Sequence, residues 1–202
     1  MLTYEKQKIK EGYSIIAGMD EAGRGPLAGA VFCAICIMPL EPDKIVDGIN
    51  DSKKLTPTKR LELYEKIKKT AVDYEVCLVD EKTIDNVNIL EATKLGMVEC
   101  LNKIKTKPDY VLVDYVAKLN LDTPFETIVK GDALSYNIAC ASILAKVERD
   151  LYMEELNKKY PNYQFSKHKG YATKLHYELI KKYGVSPVHR KSFLKNLEEH
   201  IG

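Results

Sequence analysis

Tyr13-Ser14-Ile15-Ile16-Ala17-Gly18-Met19-Asp20-Glu21-Ala22-Gly23-Arg24-Gly25 is a short apolar run that ends in two adjacent carboxylates and a glycine-flanked arginine. Residues 13–19 predict a strand that delivers Asp20 and Glu21 at its end. Neighbouring side chains on a regular strand point to opposite faces. Both acids can serve one region only if the strand stops or bends there, and Gly23 and Gly25 permit such a bend. Residues 27–38 are apolar at nearly every position, the pattern of a strand buried on both faces in the middle of a sheet.

The same ending recurs twice. Residues 110–113 run into Asp114, and residues 126–130 run into Gly131-Asp132. Apolar strands that end in carboxylates predict an oxygen-ligand site for hard divalent cations, Mg²⁺ or Mn²⁺. A pair of such ions suits phosphoryl-transfer chemistry. Gly23-Arg24-Gly25 is not a P-loop, because the G-K-[ST] ending is absent. It reads as a turn whose backbone can approach an anion while Arg24 adds charge. Metal-binding acids beside a phosphate-reading loop point to a nuclease.

Working outward, residues 72–79 predict a further strand. Thr56-Pro57 reads as an N-cap with proline at the first helical position. Asn88 followed by Glu91 reads as a capping box opening a helix through Ile104. One long helix is expected over 134–159, stopped by Pro161, then helices near 173–183 and 192–200. The fold class is α/β, a mixed β-sheet flanked by helices. Residues 1–202 are expected to form a single catalytic domain in which about 161–202 make a basic, helical C-terminal segment.

Each candidate has an ordinary structural reading as well. Asp20-Glu21 could be a surface turn, and Asp132 a cap on the long helix. Asp114 interrupts an apolar run, and a charge there requires a partner, a metal or a strand end. Ser135, Ser142 and Lys146 follow Asp132 at helical spacing and should share a face. Tyr171, after Lys169 and Gly170, could stack on a sugar or base. The histidines lack zinc-ligand spacing, and no Ser-His-Asp order stands out.

A formal net charge of +2 on 202 residues argues nothing by itself. Its distribution is more telling, since eight Lys or Arg lie between Lys167 and Lys195 against the single acid Glu178. Such a stretch could bind phosphates, or it could be a solvated lysine-rich face. Cys33, Cys36, Cys77, Cys100 and Cys140 sit in apolar settings expected of reduced core thiols. Cys33 and Cys36 lie three apart on a strand, so they should face opposite ways and not form a C-x-x-C site. No run has transmembrane length, and a cytoplasmic location without membrane contact is expected.

Taken together, several blocks in order closely resemble the bacterial ribonuclease HII family. They are Gly18 to Gly29, Asp51-Ser52-Lys53-Lys54-Leu55, Lys130-Gly131-Asp132-Ala133, Ala141-Ser142-Ile143-Leu144-Ala145-Lys146-Val147, and His168-Lys169-Gly170-Tyr171 with Ser186-Pro187-Val188-His189-Arg190. The resemblance implies an RNase H-like fold and hydrolysis of the RNA strand of RNA–DNA hybrids. It also implies incision 5′ of single ribonucleotides in duplex DNA, leaving 3′-OH and 5′-phosphate ends, with roles in ribonucleotide and primer removal. By position, Asp20, Glu21, Asp114 and Asp132 match the four catalytic, metal-binding carboxylates of a two-metal-ion mechanism. Gly23, Arg24 and Gly25 match the loop that senses the ribose 2′-OH, and Tyr171 the tyrosine that packs on the following deoxyribose. Lys53, Ser142 and Lys146 are further substrate-binding candidates. A monomer with nucleic acid as its partner, and no obligate protein partner, is the family expectation. Tyr115 after Asp114, and Cys140, are less usual at their positions. Rival readings are ribonuclease HIII, a junction resolvase of related fold, and a catalytically silent hybrid-binding protein.

Overall fold

The computed structural model describes residues 1–195 and 197. Its sheet contains β1 (Ile16–Ala22), β2 (Val31–Ile37), β3 (Asp73–Val79), β4 (Tyr110–Asp114) and β5 (Phe125–Ile128). Their spatial order is β3-β2-β1-β4-β5. The β1, β2 and β3 strands run antiparallel as a meander, whereas β4 and β5 run parallel to β1. The mixed α/β sheet is the one expected, with β1 at its centre. The helices are α1 (Thr3–Lys10), α2 (Pro57–Thr70), α3 (Glu81–Val87), α4 (Ile89–Lys103), α5 (Gly131–Leu134), α6 (Tyr136–Lys159), α7 (Phe165–His168) and α8 (Lys174–Tyr183).

Two layers cover the sheet. On one face Phe32, Ala34 and Cys36 pack with Leu63 and Ile67 of α2 and with Cys140, Ile143 and Leu144 of α6. On the other, Met19, Cys33, Ile35, Val111 and Val113 pack with Met97, Cys100 and Leu101 of α4. Cys33 and Cys36 therefore lie on opposite faces of β2, as their spacing requires. All five cysteines are buried and unbridged.

The expected caps form. Thr56 Oγ1 accepts from the Lys59 N–H at 3.2 Å, and Asn88 Oδ1 accepts from the Leu90 and Glu91 N–H groups at 2.9 and 3.1 Å. Glu91 does not close the box but reaches Lys94 at 2.8 Å.

Several expectations are corrected. The first strand does not end before Asp20, since β1 continues to Ala22 with Asp20 opposite Ala34 and Glu21 opposite Cys33. The second starts at Val31, because residues 27–29 instead bond the C-terminal segment. The helix expected over 134–159 is broken at Ser135, whose extended backbone (φ −111°, ψ 134°) separates α5 from α6. Asp132 therefore belongs to a short turn of its own. Helix α1 was not anticipated, since its buried residues are Glu5 and Lys8 and no apolar stripe announces it; α3 was not anticipated either.

The C-terminal segment is tied to residues 27–29. Leu27 N–H donates to Gly170 O at 2.8 Å, Gly29 N–H to Val188 O at 2.9 Å, and Arg190 N–H to Leu27 O at 2.8 Å. Of the helix expected near 192–200, the structure describes a 3₁₀ turn over Lys191–Phe193, and residues 196 and 198–202 lie outside the described residues. No described helix is long and apolar enough to cross a membrane.

Candidate active site

The parallel β1–β4 ladder has Met19 opposite Val113 as its last pair. One residue further along each strand stand Asp20 and Asp114. Met19 and Val113 face α4, so alternation turns the two aspartates towards α6. Helix α6 lies directly on β1, where a Cβ on Gly18 would meet Asn137 C at 2.1 Å and Ile138 N at 2.2 Å. That close approach brings the preceding turn, α5, up to the strand ends. Asp20, Asp114 and Asp132 each present an oxygen such that the three atoms lie within 4.8 Å of one another. Gly131 N–H donates to Asp114 Oδ1 at 2.8 Å and links the third acid's turn to the second acid.

Glu21 is placed differently. It follows Asp20 within the same ladder and so takes the opposite face, outside the three-acid group. Arg24 Nη1 donates to its Oε1 at 3.3 Å, while its Oε2 is buried with no partner among the described residues. The Glu21 N–H donates back to Asp20 Oδ1 at 2.7 Å.

Burial raises the Asp20 pKa well above the ordinary carboxylate value, and the charges of Glu21 and Asp114 raise it further. Burial likewise raises Glu21, with Arg24 opposing the shift. Asp132 is raised by burial and by Asp114, with Lys53 opposing. Like charges held together away from water need a cation. Lys53 Nζ lies 3.6 Å from Asp132 Oδ2 on a side chain that is 79% exposed, and Arg24 pairs with Glu21 alone. All-oxygen donors around uncompensated charge fit a hard divalent ion such as Mg²⁺ or Mn²⁺.

The other candidates fall into distinct settings. Ser142 Oγ lies 2.9 Å from Ser52 Oγ, and its hydroxyl also bonds Asp20, opposing the upward shift there. Lys146 is held by Asp150 at 2.6 Å. Asp150 also accepts from Arg60 Nη1 at 3.5 Å, and Arg60 Nε donates to Ser52 O at 2.9 Å. Arg60 thus anchors the loop that carries Lys53, a role its setting in a charged helix did not announce.

Two buried arginines support the Gly23-Arg24-Gly25 loop. Arg190 donates from Nη2 to Gly23 O at 2.6 Å, from Nη1 to Arg24 O at 3.0 Å and from Nε to Gly29 O at 2.8 Å. Burial lowers its pKa to about 10, which leaves it cationic at neutral pH. Arg149 packs so closely beneath Gly23 that a Cβ there would meet its Nε at 2.1 Å. Its guanidinium also lies 5.6 Å from the centroid of the Tyr171 ring, which is 41% exposed. Arg149 therefore joins the loop to the tyrosine. Local sequence assigns Arg190 no role, and the basic stretch expected to bind phosphate or face solvent here supplies a buried structural arginine.

Behind Tyr171 three histidines pack together. His176 Nδ1 lies 2.9 Å from Tyr171 O, and the His176 and His189 Nε2 atoms are 3.0 Å apart. His168 stacks on His176 at 4.1 Å between centroids. They form a buried scaffold, with His189 Nδ1 bonded by Ser186.

The chain is similar to known proteins over nearly its whole length. The profile of the family described as Ribonuclease HII matches residues 17–196. A ribonuclease HII of Caldicellulosiruptor bescii is 52% identical over 193 residues, covering 96% of this chain and 93% of the relative. The crystal structure of ribonuclease H2 from Pyrococcus horikoshii OT3 superposes with a TM-score of 0.78 at 30% identity, covering 93% of this chain and 99% of the other. The RNase HII in the PCNA complex from Archaeoglobus fulgidus superposes with a TM-score of 0.74 at 29% identity, covering 88% and 94%.

Proposed function

The chain belongs to the ribonuclease HII family and is an endoribonuclease of RNA–DNA hybrids, and from that premise we propose that it also incises duplex DNA 5′ of a single ribonucleotide. The observation that carries the reading is the convergence of Asp20, Asp114 and Asp132. These three carboxylates would hold a pair of Mg²⁺ or Mn²⁺ ions, with Glu21 contributing from the other face of β1. When bound, such ions supply Lewis-acid stabilisation of the charge that builds on a phosphoryl centre during in-line attack by water.

The chain's own part is positioning. Gly131 N–H fixes the Asp114 carboxylate, and the Ser142 hydroxyl steadies Asp20. Gly23, Arg24 and Gly25 would read the ribose 2′-OH and the flanking phosphates, oriented by the grip of Arg190 on the Gly23 and Arg24 carbonyls. Tyr171 would pack on the deoxyribose that follows the ribonucleotide. Lys53, exposed beside Asp132, would meet a backbone phosphate, and Lys146 would do so from its seat on Asp150. Hydrolysis would leave 3′-OH and 5′-phosphate ends. We read residues 1–202 as one catalytic unit acting as a monomer without an obligate protein partner. The bonds between residues 27–29 and the C-terminal segment support the first part of that reading. The complex with PCNA belongs to the Archaeoglobus fulgidus protein.

The test is cleavage of an end-labelled DNA duplex with one ribonucleotide, in Mg²⁺, in Mn²⁺ and in EDTA. An all-DNA duplex and a four-ribonucleotide hybrid run alongside, together with the Asp132→Asn variant. The expected result is metal-dependent incision 5′ to the ribonucleotide, lost in Asp132→Asn although duplex binding persists. Cutting of the four-ribonucleotide hybrid alone would overturn the single-ribonucleotide reading. Near-normal turnover by Asp132→Asn would remove that residue from the site.

A further inference from the structure

Helix α1 contributes a carboxylate to the interior of the molecule. Glu5 is fully buried, and so are its partners Ser135 and Asn137. Ser135 Oγ donates to Glu5 Oε1 at 2.6 Å, and the Asn137 N–H donates to the same oxygen at 3.0 Å. Glu5 Oε2 is buried without a partner among the described residues. Residues 1–16 lie outside the span 17–196 matched by the family profile. The two partners of Glu5, Ser135 and Asn137, lie within that span.

The bonds made by Glu5 converge on the corner between α5 and α6. A serine hydroxyl has one proton to donate. Once Glu5 takes it, the lone pairs of Ser135 Oγ turn to the helix, where Oγ accepts from the Ile138 N–H at 3.2 Å. The Glu5 carboxyl also stands at the N-terminal end of a 24-residue helix, whose dipole favours an acceptor there. From that corner two connections lead to the acids. Ser135 N–H donates to Gly131 O at 2.8 Å, and Gly131 N–H binds the Asp114 carboxylate. Asn137 Nδ2 donates to Ile16 O at 2.8 Å, and its Oδ1 accepts from Met38 N–H at 3.2 Å, pinning α6 to β1 and to the end of β2. The backbone of Met1 adds a further tie, accepting from the Tyr136 N–H at 2.8 Å.

We propose that Glu5 is a positioning residue of the active site, fixing the α5–α6 corner and thereby the distance of Asp132 from Asp20 and Asp114. The proposal rests on the reading of those three aspartates as the metal-binding group. A residue that only fastened α1 to the molecule would affect stability and leave the metal site unchanged. Glu5 instead changes both, because Ser135, which it bonds, is tied in turn to Gly131, whose N–H orients Asp114 and whose turn carries Asp132.

The experiment is a calorimetric titration of the substrate-free protein with Mn²⁺. Wild type, Glu5→Gln, Glu5→Ala, Ser135→Ala, the Glu5→Gln/Ser135→Ala double variant and Asp132→Asn are compared well below each protein's melting temperature. Supporting groups one bond removed from a ligand alter metal affinity by about 10–100-fold, and Glu5 acts two bonds further out, through Ser135 and Gly131. The expected result is about tenfold weaker Mn²⁺ binding in Glu5→Ala, an intermediate loss in Glu5→Gln and an unchanged circular dichroism spectrum. Glu5→Gln and Ser135→Ala should be non-additive, as coupled neighbours are. Wild-type Mn²⁺ affinity in Glu5→Gln and Glu5→Ala, with loss in Asp132→Asn, would overturn the proposal and leave the metal reading standing. Wild-type affinity in Asp132→Asn would overturn both. If Glu5→Ala does not fold, the isosteric Glu5→Gln decides alone.

Discussion

Arg190 Nη2 donates to the carbonyl of Gly23 at 2.6 Å, joining residues 167 apart in the chain. Its two further bonds, to Arg24 O and Gly29 O, complete a fork that a lysine cannot reproduce. Arg190→Lys should leave two buried carbonyls unpaired, at about 1–3 kcal/mol each. The loop that those carbonyls orient should loosen with them. Urea denaturation should register the lost stability. The ratio of single-ribonucleotide incision to cleavage of a four-ribonucleotide hybrid should fall about tenfold, ~1.4 kcal/mol of discrimination. An unchanged ratio would detach Arg190 from recognition.

Gly18 and Gly25 separate packing from chemistry. A Cβ at Gly18 would collide with the backbone of Asn137 and Ile138, which cannot swing aside as a side chain can. Gly18→Ala should cost at or above the upper end of the about 1–3 kcal/mol typical of overpacking, pushing α6 and Asp132 away from Asp20. Nothing lies within 4 Å of a Cβ at Gly25. Gly25→Ala should therefore keep the wild-type melting temperature and still lose incision, because the added methyl projects where the nucleic-acid backbone is proposed to approach. A Gly25→Ala enzyme of full activity would count against that approach.

The histidine scaffold should confer a pH dependence of defined sign. Burial, with help from the neighbouring His168, holds His176 down to about 3, and burial holds His189 down to about 4. In the unfolded chain both revert to about 6.5. Between those values the unfolded state takes up more protons, so stability rises with pH. The contribution is complete above about pH 6.5, is lost as pH falls towards 4 and is flat below about 3. At ~1.4 kcal/mol per pKa unit, the pair should contribute on the order of several kcal/mol. Urea midpoints at pH 7.5, 5.5 and 4.5 should show a shallower decline for His176→Gln than for wild type. Parallel declines would exclude the histidines as its source.

Tyr171 is exposed, so its removal should be felt by substrate more than by the fold. Stacking of a base on an aromatic ring is worth about 1–3 kcal/mol by alanine substitution, and the sugar contact proposed for Tyr171 is expected near the lower end of that range. Tyr171→Ala should reduce the preference for an RNA-to-DNA junction about tenfold and change the melting temperature little. Competition between junction and uniform-hybrid substrates measures this directly, and an undiminished preference would assign the contact elsewhere.

Much of the site could be read from local pattern. Asp114 announced itself because a charge after Val111-Leu112-Val113 has no place in a buried strand. The caps at Thr56 and Asn88 were legible because capping is settled within three or four residues. Glu5 and Arg190 were not legible, since a charged residue in a charged segment looks solvated until the partners that bury it are known. Their partners lie 130 to 132 and 161 to 167 positions away.

By itself the sequence determined that apolar strands would end near acids, that a glycine-flanked arginine would stand beside the first pair, and that helices would cover the sheet. These follow from hydrophobic period, turn chemistry and caps, all of them short-range. Only the tertiary structure decided that β1 continues through Glu21, so that Asp20 joins Asp114 and Asp132 while Glu21 takes the other face. It also decided that the chain breaks at Ser135, which sets Asp132 on its own turn. The physical reason is that a side chain's face depends on where a ladder stops, and a ladder stops where its partner strand does. Here that partner is β2, whose Cys33 and Phe32 pair with Glu21 and Ala22, while the ladder to β4 ends at Met19.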